Sequence, residues 1–186
     1  VARAIYEQRL RPGKKLGEEA LASAFAVSRA RIRRVLLALS HQGLVELIPN
    51  RGAFVTRPTE EDARDIFSIR QRLEDLVVER VATRPTPATI AKLRAHVQAE
   101  AAARDKGNRR EAVRMSGEFH STLARRSGSR VFLGTIEPVL LQSSLIVSVY
   151  GGGLSSSCSV EEHLGIVDAL ELGEEARART LMQDHL

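Results

Sequence analysis

Residues 21–56, LASAFAVSRARIRRVLLALSHQGLVELIPNRGAFVT, decide the fold. A short helix is expected over Glu18–Phe25, followed by a tight Ala26-Val27-Ser28 connection, and Ser28 is placed to cap a second helix running to about His41. Within that helix Ile32, Val35, Leu36 and Leu39 keep the i, i+3, i+4, i+7 spacing of a buried stripe. Arg29, Arg31, Arg33 and Arg34 fall outside the stripe and crowd the first two turns. Those turns of a recognition helix meet base edges and phosphates in the major groove. Gly43 stops the helix, Val45–Ile48 and Ala53–Thr56 read as strands, and Pro49-Asn50-Arg51-Gly52 reads as their turn. Helix, turn, arginine-rich helix and small hairpin together make a winged helix-turn-helix.

A run of arginines is ordinarily a solvated helix face. Three facts weigh against that here. The charges open the second helix of a helix-turn-helix, the following turn adds Arg51 beside Gly52, and charge is segregated along the chain. Residues 1–57 hold eleven Lys/Arg against four Asp/Glu, a net of +7, whereas residues 58–186 hold seventeen against nineteen, a net of −2. A positive field confined to one module suits a polyphosphate partner, because neutralising phosphates supplies much of the affinity.

The 186 residues, 43% of them apolar, suffice for a winged helix over residues 1–57 and a second core over 58–186. The single cysteine, Cys158, excludes a disulfide framework and a CxxC zinc site and suits a reducing cytoplasm. No apolar run approaches the roughly 18 residues of a membrane span, no signal peptide is visible, and no membrane partner is expected. The chain opens without Met inside an expected helix over Val1–Gln8 and stops within another at Leu186, so residues are expected to be missing at both ends.

Beyond Pro58 the strand signal disappears. Thr59-Glu60-Glu61-Asp62 has the form of a capping box and starts a helix reaching about Thr83, with Ile66, Ile69, Leu73, Leu76 and Val77 at helical spacing. Thr86-Pro87 supplies an N-cap and an N1 proline for a helix ending before Gly107-Asn108. Further helices are expected over Arg109–Arg126, Arg130–Tyr150 with Pro138 as a kink or a break, Val160–Leu172 and Glu174–Leu186. Gly151–Gly153 and Ser155–Ser159 read as a flexible polar loop. The fold expected is therefore mainly α: a winged helix-turn-helix followed by an all-α antiparallel bundle.

Of five histidines, His120, His163 and His185 each carry apolar neighbours at i±3 or i±4, so they point into the bundle from three different helices. Each buried imidazole needs a polar partner, and three that converge make a common first shell for a divalent metal. Spacing leaves core packing and metal ligation both open.

Pro12-Gly13, Leu16, Leu21-Ala22, Val27-Ser28-Arg29, Arg33, Leu36, Leu39, Gly43-Leu44-Val45 and Pro49-Asn50-Arg51-Gly52-Ala53-Phe54-Val55 run in the order of the winged-helix signature of GntR-family bacterial transcription regulators, which this chain resembles. The resemblance implies DNA contacts from Arg29, Arg33 and the Asn50–Gly52 turn, with Ser28 on a phosphate. Two departures, Ala30-Arg31-Ile32 for a Thr-Pro-Val type of triplet and Arg34 for an acidic residue, add charge at the same face. Phe119-His120-x-x-Leu123, Glu162-His163-x-x-Ile166-Val167-x-Ala169-Leu170, Leu181-Met182-x-x-His185-Leu186 and Arg70-x-x-Leu73-Glu74 look like the ligand-sensing helical FCD domain of the FadR-like branch. That likeness implies a metal on His120, His163 and His185, zinc first and nickel second, with Ser116 at the usual Asp/Asn position. Arg70 and Glu74 are then pocket residues, a structural ion pair or an exposed helix pair. Glu118 cannot replace the missing carboxylate, because it lies about 200° around the helix from His120.

The reading that joins these parts is a cytoplasmic, homodimeric, ligand-responsive transcription regulator, a repressor rather than an activator. It would bind a palindromic operator in double-stranded DNA and sense a small carboxylate, with Arg57-Pro58-Thr59 as the place for domain motion. The rivals are a metal-dependent enzyme and an architectural DNA-binding protein without effector. No HExxH exists, since Val167 stands four residues after His163, and no nucleophile elbow or phosphate-cradling loop appears. An architectural protein would leave the inward histidines unexplained. The sequence is read as a non-enzyme.

Overall fold

Ser28 starts the recognition helix as its side chain predicts: its Oγ accepts the N–H of Arg31 at 3.3 Å. The computed structural model describes residue 4 and residues 10–150 and 160–186. The rest of the helix expected over Val1–Gln8, the loop expected over Gly151–Gly153 and Ser155–Ser159, and Cys158 lie outside the described residues. The first elements are β1 (Lys15–Leu16), α1 (Glu18–Ala24), α2 (Arg29–His41), β2 (Val45–Ile48) and β3 (Gly52–Val55). On α2, Ile32, Leu36 and Leu39 are buried as expected, but Val35 is 37% exposed. At 100° per residue Val35 sits about 60° from Ile32, on the side away from Leu36, so it falls at the margin of the stripe.

Gly43 ends α2 in a left-handed conformation (φ 73°), with its N–H on the Ser40 carbonyl and that of Leu44 on Leu39. This pair of bonds satisfies carbonyls that the helix end would otherwise leave open. The chain then enters an antiparallel sheet of order β1-β3-β2, in which Lys15 pairs with Phe54 and Ile48 with Gly52. The expected turn is therefore one residue too long. Gly52 belongs to β3, the connection is Pro49-Asn50-Arg51, and Thr56 lies beyond the strand. Asn50 (φ 60°) and Gly52 (φ 101°) absorb the tight reversal. Strand β1 escapes sequence reading because two residues carry no alternation.

The helical part comprises α3 (Glu60–Thr83), α4 (Pro87–Asp105), α5 (Arg109–Arg126), α6 (Arg130–Tyr150), α7 (Val160–Glu171) and α8 (Glu175–His185). The expected starts are present: Thr59 Oγ1 accepts the Asp62 N–H while the Asp62 carboxylate accepts the Thr59 N–H, and Thr86 Oγ1 caps the helix that Pro87 opens. Pro138 lies inside α6, which runs as one helix. The buried face of α3 differs from the expected stripe. Ile69 and Leu76 are 48% and 43% exposed, whereas Arg70, Glu74, Val77, Val78 and Val81 are buried. Counting only apolar letters shifts the face by one residue, about 100°, because here a charged pair turns inward.

Among the described residues the chain divides into two compact units. One runs to Ala63 and takes in α6 from Leu141; the other holds Arg64–Leu140 and the last two helices. The first has its core in Leu16, Ile32, Leu36, Leu39, Leu44, Val45, Ala53 and Val55, joined by Leu145 of α6. Burying a leucine contributes about 1.5–3 kcal/mol to such a core. The second is built on Val77, Val78, Leu93, Phe119, Leu123, Ile136, Ile166, Leu170 and Met182. The expectation about membrane-length segments needs correcting. Arg130–Val147 of α6 is long and apolar enough by length and composition, with mean hydropathy 1.3. An average over the segment tolerates Arg130, Glu137 and Gln142, which interrupt any continuous apolar run. Ile136, Leu140, Leu145 and Ile146 are buried in protein.

Candidate metal centre and nucleic-acid interface

Helices α5, α7 and α8 bring His120, His163 and His185 together, with one ring nitrogen from each within 4.8 Å of the others. The Nε2 atom of His185 lies 3.2 Å from Nε2 of His120 and 3.2 Å from Nε2 of His163. Every outward Nδ1 has a carboxylate: His120 donates to Glu74 at 2.6 Å, His163 to Glu100 at 2.8 Å and His185 to Glu162 at 2.9 Å. Such bonds fix the tautomer with the proton on Nδ1 and leave the Nε2 lone pair facing inward. Lone pairs 3.2 Å apart repel unless a proton or cation lies between them. Two ligands at the 2.0–2.1 Å usual for a zinc–imidazole bond and a tetrahedral angle would stand about 3.3 Å apart, so the donor set fits a divalent ion.

The surroundings have the matching sign. Arg70 donates to the second oxygen of Glu74 at 2.7 Å, and Glu74 and Glu100 outnumber this one guanidinium among the buried charges. Burial pushes the Glu74 carboxyl up, but its electrostatic and hydrogen-bond contacts with His120 and Arg70 outweigh it and hold it at about 2. Burial pushes His120 down to about 3 against the pull of Glu74, and burial is also the largest cause that pushes His185 down. Rings held below their ordinary value keep their lone pairs near neutral pH. Phe119 stacks on His163 with centroids 4.1 Å apart and walls the site.

Ser116 is buried one turn before His120 on α5. Glu118 is paired with Arg114, on another face, as its helical angle requires. His96 bonds the Met115 carbonyl at 2.8 Å and stands outside the trio, and His41 is exposed at the end of α2. Arg70 and Glu74, read as pocket or ion pair, form a buried ion pair whose carboxylate also holds His120. Sequence reasoning missed Glu100 and gave Glu162 no role. A trace was present: Glu100 continues the Ile90, Leu93, Val97 spacing of α4, where a buried acid needs a partner.

At the other site Ser28, Arg29, Arg31, Arg33 and Arg34 of the recognition helix and Asn50, Arg51 and Gly52 of the wing are all exposed, and all belong to the first unit. Arg29 and Arg33 have side chains 59% and 64% exposed, and both turn toward Glu18 of α1. The wing is stiffened by Phe54, whose ring carries Arg51 at 5.7 Å and Lys15 at 6.0 Å.

A cationic helix beside a three-stranded wing, followed by a helical bundle with a buried histidine cluster, defines a winged helix-turn-helix protein with a second, all-helical part. Residues 1–55 match the bacterial regulatory proteins of the gntR family and residues 65–186 match the FCD domain. The chain belongs to the GntR-family transcription regulators that carry an FCD domain. It is similar to an HTH-type transcriptional regulator from an unstable DNA locus of Streptomyces ambofaciens, 28% identical over 95% of this chain and 75% of that one. It is also similar to the transcriptional repressor RspR of Escherichia coli K12, 24% identical over 94% of this chain and 77% of that one. Among solved structures, a GntR regulator from Rhodococcus sp. RHA1 has a TM-score of 0.84 at 25% identity, covering 98% of this chain and 88% of that one. McbR/YncC of E. coli has the same fold, with a TM-score of 0.87 at 19% identity over 99% of this chain and 88% of that one. The family and these relatives make the chain a transcription regulator and not an enzyme; the gntR module implies DNA binding and the FCD domain small-molecule sensing.

Proposed function

We propose that this regulator is a cytoplasmic homodimeric repressor whose metal-assisted effector site is the His120–His163–His185 cluster. The observation that carries the reading is the set of three imidazoles that face each other through Nε2 while each Nδ1 is held by a carboxylate. When bound, a divalent ion, zinc first and nickel second, would offer open positions to a small carboxylate. Glu74, Glu100 and Glu162 orient the rings, Arg70 fixes Glu74, and Phe119 excludes water from one side. Residues 1–57 act as the DNA-binding module and residues 58–186 as the sensing and dimerising module. Ser28, Arg29, Arg31, Arg33, Arg34, Asn50, Arg51 and Gly52 supply the DNA contacts, and a dimer sets two recognition helices on a palindromic operator. The name of RspR supports repression.

Elemental analysis and melting curves test the site. Purified protein should carry divalent metal, and a chelator should remove it and lower the melting temperature, because the ion binds the folded bundle far better than the unfolded chain. His120→Ala, His163→Ala and His185→Ala should each abolish most of that shift, His41→Ala and His96→Ala should not, and Ser116→Asp should tighten binding. Metal-free protein indifferent to added zinc and nickel would return the three histidines to core packing and leave the DNA-binding reading intact.

A further inference from the structure

Glu18 is an acidic side chain among the residues that the proposed function places on DNA, and its geometry has a use there. One of its oxygens accepts Arg33 Nε at 2.7 Å and lies 3.9 Å from Arg29 Nη2. An acid in the first turn of α1 suits the helix dipole, but that would be served as well by Glu19, which shares the turn. Nor is the pair a stability device, since exposed ion pairs contribute little to folding stability. Its effect falls on the arginine fork. A guanidinium has five donors in one plane, and guanine O6 and N7 take two of them together. Engaging Nε on Glu18 leaves both terminal nitrogens of Arg33 free and fixes the plane in which they lie.

We infer that Glu18 is a specificity-determining residue: it orients Arg33 for bidentate reading of a guanine while its charge opposes binding to DNA of any other sequence. This rests on the recognition-helix reading. A carboxylate close to phosphates weakens all binding, and it is compensated only where Arg33 finds its base, so discrimination rises at the expense of raw affinity.

Binding-site selection from a random duplex pool tests it, using the full-length wild type, Glu18→Ala, Glu18→Gln and Arg33→Ala, each checked by thermal melting. The wild type should enrich a motif with a guanine that Arg33→Ala loses and both Glu18 variants relax, the other positions being kept. In competition assays the specific-to-nonspecific ratio of the Glu18 variants should fall roughly tenfold, within the discrimination one bidentate contact provides, with nonspecific affinity equal or higher. Variants that keep the guanine preference, or that lose affinity for all sequences alike, would overturn the assignment. Failure of the wild type to enrich any motif would overturn the DNA-binding reading, and this inference with it.

Discussion

Arg29 and Arg33 lie off the Ile32–Leu36–Leu39 stripe, so truncating either removes no core contact. Each replacement by alanine should weaken operator binding by about 1–3 kcal/mol where the side chain reads a base, with helical content unchanged. Fluorescence anisotropy and circular dichroism check this, and wild-type affinity in both mutants would refute the assignment. Arg51→Ala, at the wing, should instead lower affinity across sequences and flatten its salt dependence. The placement of these residues was legible because it is local: Ser28, the arginines and the wing turn fit in one short stretch of chain. The histidines were half legible. Neighbours at i±3 and i±4 show that a ring faces inward, but His163 finds Glu100 63 residues away and His185 finds His120 65 residues away. No local pattern encodes those meetings.

Among the elements, the connection between α1 and α2 carries a visible strain. Ala26 adopts φ 50°, with its N–H on the Ser23 carbonyl and that of Val27 on Ala22, in a conformation glycine enters without steric conflict. Ala26→Gly should stabilise the first unit by about 1 kcal/mol, the left-handed penalty of an L-residue less the entropy glycine brings. Denaturant titration of the two proteins measures it; a lower midpoint would show that the Ala26 methyl has a packing role. Helices α3 and α8 are tied by Asp75, whose two oxygens accept Arg179 Nε and Nη2 at 2.7 Å each. The hydrogen bonds from Arg179 lead the causes that hold the Asp75 carboxyl below its ordinary 3.8. A depressed carboxyl contributes stability that is present above its unfolded value and is lost as pH falls through the folded one. Melting temperatures of wild type and Asp75→Asn should therefore differ at neutral pH and converge below about pH 4. Helix limits were legible where caps and breakers mark them, at Thr59, Thr86 and Gly43. The buried face of α3 was not, because an inward Arg70–Glu74 pair reads as a polar face until its partner on α5 is known.

Across the whole molecule, the two units divide the physical work. The positive excess of the chain sits in residues 1–57, so the salt dependence of DNA binding should be a property of the first unit. The second is near neutral overall and buries Arg70, Glu74 and Glu100 beside its histidines. Its helical architecture followed from six helical signals with short connections, whereas the use of the end of α6 by the first unit did not, since Leu145 looks like any bundle leucine.

The three imidazoles come from three helices, His163 and His185 lying 22 residues apart and His120 and His185 65. The cluster thus exists only after α5, α7 and α8 have docked. An ion held there acts on the folded state and leaves the preceding barrier untouched, so its contribution appears in how slowly the protein comes apart and not in how quickly it forms. In stopped-flow experiments zinc should leave the refolding limb of the chevron in place and lower the unfolding limb by the whole equilibrium gain. Faster refolding with zinc would mean that the histidines meet early. On the proposed function, a long-lived metal-loaded fold would let the helical domain stay assembled through many cycles of effector arrival and departure.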